Sequence, residues 1–149
     1  LTAYNPEKNR DKASQGSIKN SFDFLGIQFH GNNIRPSIAS RRKLLQVIDD
    51  LIKESIKIDF SKIMNGSKED FSLTKISYQI HNKVKGWGNQ YYFCNDLQLW
   101  KSLDAEINIR IRKHLDHHFA SMRKLDQVQK RRQLGIHLLI DSKSEPIIW

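Results

Sequence analysis

Apolar residues at Leu73, Ile76, Ile80, Val84, Trp87 and Tyr91 keep helical spacing straight through a Gly86-Trp87-Gly88 triplet. Each glycine inside a helix costs about 1 kcal/mol relative to alanine, so two of them around one large ring ask for a reason. Close approach is one: bare backbone on either side of an indole lets a neighbouring helix or a nucleic-acid strand come near. A Trp anchor in a small helical core is the plainer reading. Either way the segment predicts a helix from a cap at Ser72 or Thr74 to about Phe93, and the fold must be built around helices.

Two more helices are written as plainly. Pro36 and the capping residue Ser37 precede a stripe of Leu44, Leu45, Ile48, Leu51, Ile52 and Ile56. Asp96 precedes Leu103, Ile107, Ile111, Leu115 and Phe119, each four residues from the last, with Trp100 on the same side. Arg110, Lys113, His114 and His117 fall on an adjacent face within about 100° of arc. Arg123 to Arg132 adds a short basic helix ended at Gly135, and Ile136 to Ile140 reads equally as strand or extended tail.

The amino-terminal part is different. Asn5-Pro6 reads as a turn in a polar stretch, and Phe22 to His30 alternates as one strand. Gly31-Asn32-Asn33 supplies a tight turn, and Asn33-Ile34-Arg35 returns as the second strand of a β-hairpin. Two strands alone are marginal in water, so the hairpin should pack on helices or join a sheet whose remainder is elsewhere. Residues 59–71, with Asn65-Gly66-Ser67, read as a polar loop. The fold class is therefore mainly α: an N-terminal β-hairpin, a three-helix bundle and a short basic C-terminal extension. The boundaries fall at 1–36, 37–120 and 121–149.

Charge narrows the partner. The chain has 25 Lys and Arg against 16 Asp and Glu, a net charge of +9. Between Lys101 and Gly135 nine basic residues face four acidic ones. Arg41, Arg42 and Lys43 sit in the first two turns of their helix, where the helix dipole disfavours cations, and phosphate contact explains them better than helix design does. A merely solvated basic face is the alternative. No apolar run approaches the ~20 residues of a membrane span, so no membrane partner is expected. The lone Cys94 fits a reducing, cytoplasmic setting.

Catalytic chemistry is hard to place. His114, His117 and His118 lack an evident third or fourth metal ligand and read as partly exposed histidines on the basic face. Cys94 has no paired base in the sequence, Asp49 and Asp50 read as solvent-facing charge, and no phosphate-cradling Gly-rich loop is present. Neither a catalytic residue nor a metal or cofactor site is assigned to this chain.

With these residues in view, the chain resembles the C-terminal part of bacterial reverse transcriptases of the group II intron and retron-like type. Leu1 to Lys8 followed by Phe22-Asp23-Phe24-Leu25-Gly26 resembles the last palm blocks of that family. Ile34-x-Pro36-Ser37, Gly86-Trp87-x-Asn89-x-Tyr91-Tyr92 and Leu103-Asp104 resemble its thumb, or maturase, region. The resemblance spans residues 1–119. It implies a primer grip at Phe24, Leu25 and Gly26, with Lys8 matching a basic residue of the preceding block. The helices would form a thumb along the template–primer duplex.

Joining the resemblance to the basic residues gives an expected nucleic-acid surface. It comprises Lys8, Arg35, Arg41, Arg42, Lys43, Lys83, Lys85, Gly86, Trp87, Asn89, Arg110, Lys113 and His117, with RNA or an RNA–DNA hybrid as partner.

Departures from the family pattern matter as much. Asn9 stands where members commonly have Thr, and the Tyr-x-Asp-Asp motif is absent. The Mg2+ that motif would bind is thus expected in a palm this chain lacks. Leu1 in place of Met fits a piece of something longer, whose palm and fingers would be a partner. Two other readings stand beside this one: a free-standing RNA-binding splicing helper, and a helical protein-interaction domain. Retrotransposition, splicing and antiviral defence are equally compatible roles.

Overall fold

Side-chain oxygens mark where the helices start. In a computed structural model describing residues 21–58 and 72–143, Ser37 Oγ accepts from the Ser40 N–H ahead of α1 (Ile38–Ile56). Ser72 does the same for Lys75 ahead of α2 (Leu73–Gln90), and Asp96 for Leu99 ahead of α3 (Leu97–Met122). Asp126 and Gln129 form a capping box on α4 (Gln127–Leu134). Each cap satisfies an amide that the helix leaves unpaired, at about 1 kcal/mol. The expected turn at Asn5-Pro6 and the loop over 59–71 lie outside the described residues.

The expected mainly α fold with an N-terminal β-hairpin is present, but the hairpin gains a strand. Residues 22–30 do not run as one strand: the chain folds back at Leu25-Gly26, giving β1 (Ser21–Phe24) and β2 (Ile27–His30) with Phe24 opposite Ile27. Both turn residues have positive φ, 50° at Leu25 and 79° at Gly26, as a type I′ turn demands. Gly31 turns the chain again with φ 58°, and β3 (Asn33–Pro36) pairs with β2, so that His30 faces Asn33. The result is a three-stranded antiparallel sheet in the order β1-β2-β3.

The sheet's two edges are treated differently. On the outer side of β3, the Ile34 N–H donates to Asn95 Oδ1 at 2.7 Å and the Ile34 carbonyl accepts from the Asn95 N–H at 2.9 Å. Pro36, with no N–H to offer, ends the same edge. Along β1, no residue among those described pairs with the outer side. The sheet rests on α1 through the Gly26 carbonyl, which accepts from the Ser37 N–H at 2.8 Å.

The core lies between α1, α2 and α3. Leu44, Ile48 and Ile52 meet Ile76 and Ile80 of α2 and Ile107 of α3, with Trp87 and Ile111 packed at the margin. At about 1.5–3 kcal/mol for each large side chain buried, this cluster dominates the fold's stability.

The lower half of α3 departs from the expected apolar stripe. A row of residues four apart advances 400°, or 40° past a full turn at each step, so the row from Leu103 winds off the core. Leu103 and Ile107 are buried, but Phe119 is more than half exposed. His114 and His118 take the inward positions instead, each 1% exposed. The expected exposed His114 on a basic face is therefore corrected: it is core.

Past α4, Gly135 takes the left-handed conformation at φ 75° and closes the helix. Over the expected strand or extended tail at 136–140, residues 136–138 have no regular structure and Leu139–Lys143 form a 3-10 helix, so no strand forms there. Arg132 and Asp141 hold that turn to α4 with paired contacts of 2.9 and 3.0 Å, and the guanidinium keeps the Asp141 carboxyl below its usual range.

Candidate nucleic-acid interface

The Phe24-Leu25-Gly26 turn projects from the helical body. Leu25 is 84% exposed, the most exposed large apolar side chain among the described residues, and Phe24 is about half exposed. A left-handed conformation costs a β-carbon residue roughly 1–2 kcal/mol, so neither burial nor conformational preference accounts for leucine here. Gly26, by contrast, is required: a Cβ there would come within 3.3 Å of both Ser40 Oγ and the Tyr91 hydroxyl. A chain of hydroxyls holds the turn from behind. Tyr91 donates to Ser40 Oγ at 2.9 Å, and Ser40 donates on to the Gly26 carbonyl at 3.3 Å.

Three of the expected phosphate-binding arginines are occupied within the fold. Arg35 Nε donates to Gln28 Oε1 at 2.7 Å, and its Nη1 lies 3.4 Å from Asp96 Oδ2. Arg41 Nη2 donates to the same Gln28 oxygen at 3.2 Å. Gln28, buried on β2, thus ties β3, α1 and the α3 cap together. Arg110 bridges α3 to α1 through Asp49 at 2.9 Å and also bonds Glu106 at 2.9 Å. That bridge overturns one expectation: Asp49 is not simply solvent-facing, because it ties α3 to α1.

Of the expected interface cations, Arg42, Lys43, Lys83, Lys85 and Lys113 are exposed, none with a carboxylate partner among the described residues. They do not form one patch. Lys43 of α1 and Lys83 of α2 line an open cleft of about 270 Å³ between those helices, with Ser40, Trp87, Gln90 and Tyr91. Lys85 and Asn89 project from the opposite side of α2, about 160° from Trp87 by helical geometry. Lys113 and the exposed His117 belong to α3 beside Arg110. Lys8 lies outside the described residues.

Trp87 is the anchor that the plainer reading expected. Its ring meets Tyr91 at a centroid distance of 4.7 Å and the edge of Trp100 at 5.5 Å. The close approach proposed for its flanking glycines is not made by any helix. A Cβ at Gly86 or Gly88 would meet nothing within 4 Å, so both face open space.

Buried polar groups gather at the far end of the bundle. His118 Nε2 lies 2.9 Å from Ser55 Oγ of α1, and its Nδ1 lies 2.7 Å from the Gln133 amide nitrogen of α4. Ser55, His118 and Gln133 are each 1% exposed, so this serine–histidine pair has no access to substrate. Burial, reinforced by His114 and His117, pushes the His118 pKa down to about 4. His114 is also lowered by burial, and neither ring nitrogen has a partner among the described residues. The Cys94 thiol is buried and pushed up, away from nucleophilic use.

No group of three or more His, Cys, Asp or Glu able to hold a metal occurs among the described residues. No helix among them is long and apolar enough to cross a membrane. Gln28, Asn95 and Gln133 organise the site and were not singled out by sequence. An isolated polar residue inside an apolar pattern was the available signal, and it occurs too often to be specific. Comparison with protein-family models, curated proteins and solved structures gives no match.

Proposed function

We propose that the chain is the primer-grip and thumb portion of a reverse transcriptase, binding an RNA-containing template–primer duplex. The observation that carries this reading is the Leu25-Gly26 turn. It holds an exposed leucine in a disfavoured conformation and is braced from behind by Ser40 and Tyr91. Local backbone strain at an exposed, well-supported position points to contact with something else. The outer side of β1, unpaired among the described residues, supports the same reading, since palm strands would cover it. Exposed lysines supply sequence-independent attraction for phosphates. Catalytic carboxylates and their Mg2+ would belong to the palm.

Fluorescence anisotropy with an RNA–DNA hybrid carrying a recessed primer end tests this. Leu25→Asn should weaken that complex several-fold while leaving the helical content unchanged. Undiminished binding would remove the turn from the grip.

A protein-interaction role draws support from Tyr92, Phe93 and Leu97 at the α2–α3 corner, all exposed, the two rings in edge contact at 6.0 Å. A palm and fingers partner would use such a corner equally well.

A further inference from the structure

The cleft between α1 and α2 is walled by cations that no carboxylate among the described residues neutralises. α2 contains no Asp or Glu along its whole length, and α1 has none before Asp49. Asp49 is engaged with Arg110 on the side toward α3. Lys43 and Lys83 therefore face each other's field across about 270 Å³ of open space, with Ser40 and Gln90 as polar groups between them. Two like charges held at one cleft without a counter-ion are unfavourable unless an anion joins them.

The rim has a matching feature. Gly86 lies one helical step from Trp87, on the side that carries Lys83 and Gln90, and a Cβ there would touch nothing. The glycine weakens the helix by about 1 kcal/mol and no packing within the described residues requires it. Its effect is to leave backbone bare beside the lysines. Both large neighbours of Trp87 are already committed to it, so the indole offers an apolar wall and not an open face for stacking.

We infer that this cleft seats the sugar–phosphate backbone of one single strand of nucleic acid. A phosphodiester lies between Lys43 and Lys83, and the ribose passes over Gly86 against the edge of Trp87. The open space of about 270 Å³ has room for a short run of one strand and not for a duplex. The inference deepens the proposed function by separating a strand-guiding cleft from the duplex-gripping turn, and it rests on that reading.

The test compares the wild-type chain with Lys43→Gln/Lys83→Gln and, separately, Gly86→Leu. Binding of a single-stranded oligonucleotide and of a blunt RNA–DNA hybrid is measured at two salt concentrations, with polyglutamate as a second polyanion. The double variant should bind the single strand about tenfold more weakly, and its salt slope should flatten by about 0.7 for each phosphate no longer neutralised. Hybrid affinity should fall by no more than about threefold. Gly86→Leu should raise thermal stability and still weaken single-strand binding, which a purely structural glycine would not do.

Unchanged single-strand affinity in both variants, with the wild type binding, overturns the cleft alone. An equal loss on strand and hybrid overturns its strand preference. Polyglutamate bound as tightly as the oligonucleotide, through the same lysines, makes the occupant an acidic protein segment and overturns the nucleic-acid assignment of the cleft. A wild-type chain that binds no nucleic acid at low salt overturns both the cleft and the proposed function.

Discussion

Asn95 holds Ile34 from two of its polar groups, accepting from the N–H at 2.7 Å and donating to the carbonyl at 2.9 Å. One residue in the α2–α3 connection thus imitates a fourth strand. It fixes the sheet against the helices and leaves β1 as the edge unpaired among the described residues. Asn95→Ala should cost about 0.5–1.5 kcal/mol in urea denaturation, the net worth of a hydrogen bond at a position water can reach. Asn95→Asp keeps an acceptor at that position and should cost clearly less. Equal losses in the two variants would mean that the side-chain oxygen is unimportant.

Leu25 sets stability against contact. Asn tolerates the left-handed conformation far better than Leu, so Leu25→Asn should stabilise the isolated chain by about 0.5–1 kcal/mol. The same substitution is expected to weaken hybrid binding. A variant that is both more stable and as good a binder would contradict a functional role for the turn.

Gly135 is placed where only glycine fits. At φ 75° a Cβ would lie 2.4 Å from Ser72 Oγ and 2.9 Å from Ser72 Cβ, and Ser72 is the buried cap of α2. Gly135→Ala should destabilise by more than about 2 kcal/mol, since steric overlap adds to a disfavoured conformation. Hydrogen exchange should show the loss first in α4 and the first turn of α2.

Much of this architecture was legible in the sequence, for identifiable reasons. The caps Ser37, Ser72 and Asp96 and the terminator Gly135 act through local chemistry, and all four stand where local chemistry predicted. The turn at Leu25-Gly26 was hidden because Phe22 to Phe29 is dense in aromatic and branched residues and leucine is a poor residue at positive φ, although the apolar positions change phase at Phe24-Leu25. The lower half of α3 was misread because a four-residue spacing was followed past the point where the helix turns it off the core. The site was legible as composition only. Which cations are exposed depends on Gln28, Asp49 and Asp96, and most of those pairings lie many residues apart in sequence.

The buried histidines give the fold an acid limit. Protonating His118 would charge a ring held between Ser55 of α1 and Gln133 of α4, with His114 and His117 beside it. Its folded-state pKa of about 4 lies below the unfolded value near 6.5, so the neutral ring's contribution is complete above about pH 6.5. That contribution, on the order of 2–3 kcal/mol, is lost as pH falls from about 6.5 through 4. Denaturation midpoints measured between about pH 7 and pH 4.5 should fall accordingly. His114→Leu removes two buried nitrogens that have no partner among the described residues, so it should stabilise the chain by about 1 kcal/mol at neutral pH and flatten the acid slope. A midpoint independent of pH across that range would contradict the buried placement of these rings.

Nucleic-acid recognition is the central claim, and one titration bears on it most directly. The chain is titrated against an RNA–DNA hybrid, a DNA duplex and single-stranded RNA, each at low and at near-physiological salt. The account predicts binding that is tightest for RNA-containing ligands and falls steeply with salt, by about 0.9 log units per log unit of salt for each phosphate neutralised on a B-form duplex. Absence of binding to all three at low salt, or affinity that salt does not change, would contradict it.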